Sequence, residues 1–245
     1  MRWADWSDRL VDVLELAHPP VAVAYTDHPP ENASTARYWV CGALQEAAAG
    51  TVIDLTAANM ACPGGSLHLG LQSQSPRRAK VLREFLIDGE KLFSCPAAIH
   101  RAQALSKAKP PFGLAEHVVF APLDKAELAP DVTVFICNPW QAARLINLAY
   151  YLDGCPMECD PTGSLCHSVI AYPLVTGNIN VTFGDVTARR IQHYGEDELF
   201  VSMPLAALEQ TVASIDRCSA GAAETYIPEA MRKMMAESGG EIPEL

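Results

Sequence analysis

Cys137-Asn-Pro-Trp-Gln-Ala-Ala143 places a cysteine at the end of an apolar run, directly before the start of a predicted helix. The related stretch Cys41-Gly-Ala-Leu-Gln-Glu-Ala47 lies 96 residues earlier and shares its cysteine, its glutamine and its last alanine. At the same offset, the apolar run 21–25 aligns with the apolar run 117–121. Ordered matches at one offset indicate a degenerate tandem repeat of about 100 residues.

A further match involves a turn in each half of the chain. Cys62-Pro-Gly-Gly-Ser-Leu aligns with Asp160-Pro-Thr-Gly-Ser-Leu, which also places His68 opposite Cys166. If the two repeats pack about a pseudo-two-fold axis, a site on that axis draws residues from both halves. We therefore expect these four side chains to converge. The alternative is that they are unconnected turn residues and that alanine-rich helices match by chance.

Apolar runs of strand length alternate with helix-like segments, which indicates a mixed α/β (α+β) protein. We expect two degenerate tandem repeats packed as one pseudo-two-fold unit in a single compact domain. Residues 1–112 form the first half, residues 113–218 the second half, and residues 219–245 a C-terminal helix and tail. The boundary between the halves is predicted in the proline-containing stretch 109–113.

Secondary structure is predicted from the spacing of apolar residues, from capping residues and from glycine and proline. Strands are expected at 21–25, 38–41, 51–55, 117–121 and 132–136, and a hairpin is expected from 167–173 with 178–183. Helices are expected at 7–17, with Ser7 as N-cap, and at 42–49, 76–87, 96–107, 139–153, 204–217 and 228–237.

Composition and charge exclude several classes of protein. The 245 residues are 49% hydrophobic and 19% charged, as in ordinary globular proteins. The net charge of -11 and the scattered basic residues argue against nucleic-acid binding. Apolar runs are too short to span a membrane, and Asp5 and Asp8 interrupt any signal-peptide core. We expect a cytoplasmic protein with no nucleic-acid or membrane partner, and its oligomeric state stays open.

Eight cysteines in a cytoplasmic chain favour metal binding or catalysis over a disulfide framework. Cys155, Cys159 and Cys166 fall in one predicted loop, where a metal or cluster could collect two or three of them, although their spacing matches neither zinc ribbons nor ferredoxins. Cys41 and Cys137 are expected at helix N-termini, which favour the thiolate. The alternative for this pair is that both are buried strand-end residues.

Polar residues supply further candidates for ligand contacts. Gln45 and Gln141 lie one turn into their predicted helices, where the amide could bind a ligand or hold a neighbouring loop. Arg189 and Arg190 could bind a carboxylate or a cluster-bound anion. The alternative for the arginines is an exposed ion-pair network with the acidic residues that follow them.

Several short stretches in a fixed order resemble a bacterial and archaeal family of unknown function, the uncharacterised ArCR family. The resemblance extends from about residue 9 to residue 215. The stretches are Pro19-Pro-Val-Ala-Val23, Cys41 at a helix start, Cys62-Pro-Gly-Gly65, Asn138-Pro-Trp-Gln141, Gly163-Ser-Leu-Cys166 and the Arg189-Arg190 region.

The resemblance implies which residues belong to a common site, but it brings no established activity. It identifies Cys41, Cys62 and Cys166 as cysteines of the family pattern. Asn138 and Gln141 are its polar features. Cys155 and Cys159 lie outside the pattern, which sets the three-cysteine loop apart from the common site. Three cysteines from distant parts of a chain suit a cluster with one iron left open.

The leading hypothesis is therefore a metalloprotein with an iron-sulfur cluster, of the 4Fe-4S type, for redox or Lewis-acid chemistry on a small molecule. Cys62 and Cys166 are predicted ligands and Cys41 the third. Cys159, Cys155, His68 or a bound small molecule would supply the fourth position. Partners would be a small-molecule ligand or a redox protein.

Three alternatives stay open. The first is a non-catalytic protein that binds a small ligand, a corrinoid or a haem in a cleft between the halves, with contacts from His68, His167, Gln45 and Gln141. The second is a thiol enzyme with Cys41 or Cys137 as nucleophile. The third is a structural zinc site.

Overall fold

The computed structural model describes residues 2–73, 75–105, 108, 112–154, 157, 164–222, 227 and 229–239. Its strands are β1 (Val21–Thr26), β2 (Ile53–Leu55), β3 (His117–Pro122), β4 (Val132–Cys137), β5 (Asn180–Thr182) and β6 (Leu199–Pro204). They form one sheet of order β2-β3-β1-β4-β6-β5, in which neighbouring strands are antiparallel. Strands β1 and β3 pair over six residues, with Val23 opposite Phe120.

Ten α-helices are described, and none of them is long and apolar enough to cross a membrane. Two further segments, Phe85–Gly89 and His167–Ala171, are π-helical. Together with the six-stranded sheet, the helices make the chain a mixed α/β protein, as the sequence predicts. The helices are α1 (Arg2–Leu14), α2 (Val40–Ala48), α3 (Pro63–His68), α4 (Pro76–Glu84), α5 (Pro96–Leu105), α6 (Pro139–Tyr150), α7 (Tyr172–Thr176), α8 (Val186–Ile191), α9 (Leu205–Ser214) and α10 (Glu229–Glu237).

Helices cover both sides of the sheet. Because successive side chains of a strand point to opposite sides, the strands contribute to a separate apolar core on each side. On the side we call the α2 face, Val23 and Phe120 pack with α2 and with the π-helical segment at 167–171. On the other side, the α6 face, Ala22 and Phe135 pack with α1, α6 and α9. The candidate cysteines Cys41, Cys62 and Cys166 belong to the α2 face.

Two predicted strands are wrong. No strand forms at 38–41, where Tyr38 makes only an isolated bridge to Met60 and α2 begins at Val40. The hairpin is wrong in its first arm, because residues 167–176 are helical and Gly177, at φ 70°, ends α7 instead of turning a hairpin. A short, fully buried apolar run fits a helix and a strand equally well.

Helix starts and ends also differ from the predictions. Ser7 is not an N-cap, since α1 begins at Arg2 and buries Ser7 within it. Gly50 does follow α2 with positive φ, and Gly154 does so after α6. Glycine tolerates this left-handed conformation. Helix α2 ends within one residue of its predicted end, whereas α6 ends at Tyr150, three residues before the predicted end at 153.

The pseudo-two-fold repeat is not shown. In the first half α2 lies between β1 and β2, whereas in the second half both β3 and β4 precede α6. The aligned helices α2 and α6 also lie on opposite faces of the sheet. The division into two halves stays a sequence prediction.

Candidate functional site

Three cysteines line one small cavity on the α2 face, which we call the thiol cavity. Its volume is about 80 Å³, and Cys41, Cys62 and Cys166 contribute to its wall. The three residues come from separate segments: the first turn of α2, the residue before α3 and the helical turn before the π-helical segment at 167–171. His68 lines the same cavity.

Hydrogen bonds fix two of the sulfurs. Cys62 is the N-cap of α3, and its Sγ accepts a hydrogen bond from the Gly65 amide at 3.3 Å. The Sγ of Cys166 donates to Ser164 Oγ at 3.6 Å. A helix N-terminus offers free N–H groups, so the Cys62 sulfur lies where a thiolate is stabilised.

The absence of a side chain at Gly65 allows α3 to approach α2. A Cβ at this position would lie 2.7 Å from Val40 Cγ2 and 3.0 Å from Met60 Sδ. Both distances are shorter than van der Waals contact. Gly65 therefore sets the separation between α2, which contains Cys41, and the start of α3, where Cys62 is the N-cap.

Burial keeps the three thiols neutral. Desolvation is the main cause, and the charge of the nearby Cys62 thiolate the second, that raises the pKa of Cys41 to about 12. Desolvation also raises the pKa of Cys62, against the lowering effect of the Gly65 and Gly64 amides, and raises that of Cys166 well above its ordinary value. Since each ionised thiol disfavours its neighbours, a free cavity holds three protonated sulfurs at neutral pH.

His68 is a neutral imidazole in this site. Desolvation, helped by the proximity of His167, lowers its pKa to about 3. The two rings meet edge to face with centroids 5.2 Å apart. His167 Nε2 lies 3.0 Å from the Ala108 carbonyl oxygen. A neutral imidazole retains a lone pair that can bind a metal.

Two carboxyl groups complete the cavity, and sequence analysis missed both. Asp185 caps α8 by accepting from the Ala188 amide at 2.6 Å, and its other oxygen accepts from the Leu165 amide at 2.9 Å. Burial and the charge of Asp185 raise the pKa of Glu90 to about 7. Asp185 could have been predicted from the sequence as a helix N-cap, because aspartate is favoured at that position. No sequence motif marks Glu90, which lies at the cavity because of how the chain folds.

The other predicted ligand contacts lie away from the thiol cavity. Asn138 and Gln141 form a capping box at the start of α6, and Gln141 Nε2 donates to the Glu15 carbonyl at 2.6 Å. Gln45 is half-buried in α2 and does not line the cavity. Their part in ligand binding stays a prediction.

Arg189 and Arg190 have different surroundings. Arg189 donates to the carbonyl oxygens of Phe183, Glu198 and Gly195, which holds together the turn after α8. Arg190 is exposed on the same helix. The predicted loop cysteines Cys155 and Cys159 lie outside the described residues, as does Asp160.

Among the residues that the structure describes, no three His, Cys, Asp or Glu side chains are close enough to hold a single metal ion. All six described cysteines are free thiols. Cys137 is buried on the α6 face, across the sheet from Cys41, although the sequence aligns the two.

Comparison with known proteins gives a family and one distant relative. The chain is 32% identical over 100 residues to Uncharacterized protein MJ0308 of Methanocaldococcus jannaschii. The match covers 40% of this chain and 43% of that protein. No solved structure matches the chain significantly. The family described as Uncharacterised ArCR matches residues 9–214, nearly the span over which the sequence motifs resemble it. The chain therefore belongs to the Uncharacterised ArCR family.

Proposed function

We propose that this protein binds an iron-sulfur cluster of the 4Fe-4S type in the thiol cavity, with Cys41, Cys62 and Cys166 as ligands. The cluster would serve redox or Lewis-acid chemistry on a small molecule. One observation carries the proposal: three cysteines from distant parts of the chain line a single cavity. In the predicted division of the chain, two of them come from the first half and one from the second.

The chemistry of the donors supports this choice. Thiolates are the usual ligands of iron-sulfur clusters, and ligation deprotonates a thiol even where burial raises its pKa. The Gly65 amide that donates to Cys62 Sγ is the kind of hydrogen bond that adjusts a cluster's reduction potential. Ligands of a cluster bind different irons, so they need not be close enough together to hold one ion.

The fourth position is the part of the site that chemistry on a small molecule would use. His68 is neutral and lines the cavity, so it is one candidate ligand. Cys155, Cys159 and a bound small molecule are the others. If an external molecule takes this position, Glu90 can give or accept a proton near it, because its pKa of about 7 lies close to neutral pH.

The rival hypotheses have less support. A thiol nucleophile needs a lowered pKa, whereas burial raises the pKa of Cys41 and of Cys137 to about 12. The thiol cavity of about 80 Å³ is far below the roughly 300 to 1,000 Å³ of pockets for drug-sized ligands. A haem or corrinoid bound through His68 would require the surrounding helices to separate.

Cytoplasmic location and a redox partner remain part of our proposal.

The test is metal analysis of protein purified without oxygen. We expect a brown wild-type protein with about four iron atoms and equal acid-labile sulfide per chain. Cys41→Ser, Cys62→Ser and Cys166→Ser should each lose most of this iron and colour. The matched control is Cys218→Ser, because that cysteine packs at the edge of the α6 core and should retain both.

A protein that contains neither iron nor sulfide after anaerobic reconstitution, while its circular dichroism shows a folded chain, would overturn the proposal. Zinc at one equivalent with no colour would favour the structural zinc site.

A further inference from the structure

A second, larger cleft adjoins the thiol cavity. It has a volume of about 610 Å³, and Cys62 and Leu82 line both spaces. We propose that this cleft binds a small organic anion, with a carboxylate or phosphate group held by arginines and an apolar body. The binding site does not depend on a cluster; only its use as the substrate site rests on the proposed function.

The charge of the cleft is opposite to that of the whole chain. The chain carries -11, yet Arg37, Arg77 and Arg78 all line the cleft, and none of its described lining residues is Asp or Glu. Within the described ranges, neither Arg37 nor Arg77 forms an ion pair. Guanidinium groups bind carboxylate and phosphate through paired hydrogen bonds. Three guanidinium groups, with no carboxylate among the described lining residues, favour an anion from outside the chain.

Local structure holds two of these arginines at the cleft. Helix α4 begins after Ser75, whose Oγ accepts from the Arg78 amide at 3.3 Å, so Arg77 and Arg78 occupy its first turn. The Arg78 Nη1 also donates to the Ser73 carbonyl at 2.9 Å, which limits the motion of its side chain. An arginine held in this way loses less conformational freedom when it binds an anion.

The cleft also has apolar side chains in its wall. Met60, Leu67, Val81 and Leu82 contribute to its wall. A volume of about 610 Å³ lies in the range of pockets for small organic ligands. These features favour an anion with a hydrocarbon portion over inorganic phosphate alone. Such a molecule would extend from the arginines towards Cys62.

The experiment compares two anionic probes with a neutral one of the same chain length. Octanoate, octyl phosphate and octanol are titrated by calorimetry into the reduced protein as purified without oxygen. We expect at least one anion to bind about tenfold more tightly than octanol, and Arg77→Gln/Arg78→Gln to weaken that anion about tenfold. The preferred anion identifies the acidic group. Lys80→Gln is the control, because Lys80 lies on the same helix and pairs with Glu84 at 3.7 Å.

Equal affinity for octanol and both anions, or unchanged anion binding in the double arginine variant, would overturn the inference. Iron analysis of the same variants separates this result from the proposed function. Arg77→Gln/Arg78→Gln should retain iron. Cys166→Ser should lose iron but still bind the anion, because Cys166 lines the thiol cavity and not the cleft. Wild-type protein that contains iron but binds neither anion more tightly than octanol contradicts this inference alone, whereas wild-type protein that binds an anion as expected but contains no iron contradicts the proposed function alone.

Discussion

The two faces of the sheet are built differently. On the α6 face, the long helices α1, α6 and α9 pack on the sheet through fully buried leucines, Leu10, Leu145 and Leu208. On the α2 face, short helices and two π-helical segments enclose thiols, a histidine and carboxyl groups. π-Helical segments often occur at functional sites. The comparison teaches that both faces bury an apolar core, and that the α2 face in addition brings thiols, a histidine and carboxyl groups to one cavity.

The largest effect on stability is expected from the α6 face. Leu145→Ala should lower the free energy of unfolding by about 2 to 5 kcal/mol, because it leaves a cavity in a fully buried core. Urea denaturation measures this change. Leu152→Ala, at an exposed leucine beyond α6, should cost less than about 0.5 kcal/mol. Loss of iron per folded Leu145→Ala molecule would contradict the division between the faces.

The next effect is expected where α3 approaches α2. Gly65→Ala should destabilise the protein by about 1 to 3 kcal/mol, because the new methyl group meets Val40 and Met60. It should also reduce iron loading by displacing Cys62. The neighbouring Gly64→Ala is the control, since its Cβ would meet nothing closer than 3.7 Å. Similar stability and iron content in both variants would contradict this role of Gly65.

A smaller loss is expected at the cap of α8. Asp185→Ala should cost about 0.5 to 2 kcal/mol, because the Ala188 and Leu165 amides lose their acceptor. Asp185→Asn retains a capping oxygen and should be closer to wild type. Because the charge of Asp185 contributes to the raised pKa of Glu90, the asparagine variant should also lower that pKa in an NMR titration. An unchanged Glu90 titration would contradict this coupling.

The last effect concerns the dependence of stability on pH. Glu90 has a folded-state pKa of about 7, raised from 4.5, so its protonated form favours folding. That contribution is complete below pH 4.5 and is lost as pH rises through about 7. Relative to Glu90→Gln, the wild type should therefore lose stability over this range, as denaturation at several pH values would reveal. Glu46→Gln, exposed on α2, serves as control. A parallel pH dependence in wild type and Glu90→Gln would contradict the expectation.

Sequence patterns predicted most of the regular elements because those elements follow local rules. Alternation and short apolar runs identified β1, β3 and β4, and proline at the first position identified α4 and α6. The segment 167–176 was predicted wrongly, since burial on all sides removes the periodicity that separates helix from strand. Its environment depends on residues far away in the chain.

The site divides in the same way. Cys41, Cys62 and Cys166 were identified by the resemblance to the family pattern, and they line one cavity. Glu90 and Arg37 carry no local signal, because only the packing of α2, α3 and α4 brings them to the two adjoining spaces. Asn138 and Gln141 show the reverse, since a conspicuous motif forms a helix cap.

The strand order also has a consequence for how the chain folds. The central strand β1 pairs with β3 and β4, both of which belong to the later part of the sequence. Such non-local pairing requires the closure of long loops before it becomes favourable, which slows folding. During synthesis, Cys41 and Cys62 leave the ribosome before β3 exists to cover the α2 face. The thiols of the nascent chain therefore meet solvent, metals and oxidants before Cys166 can join them.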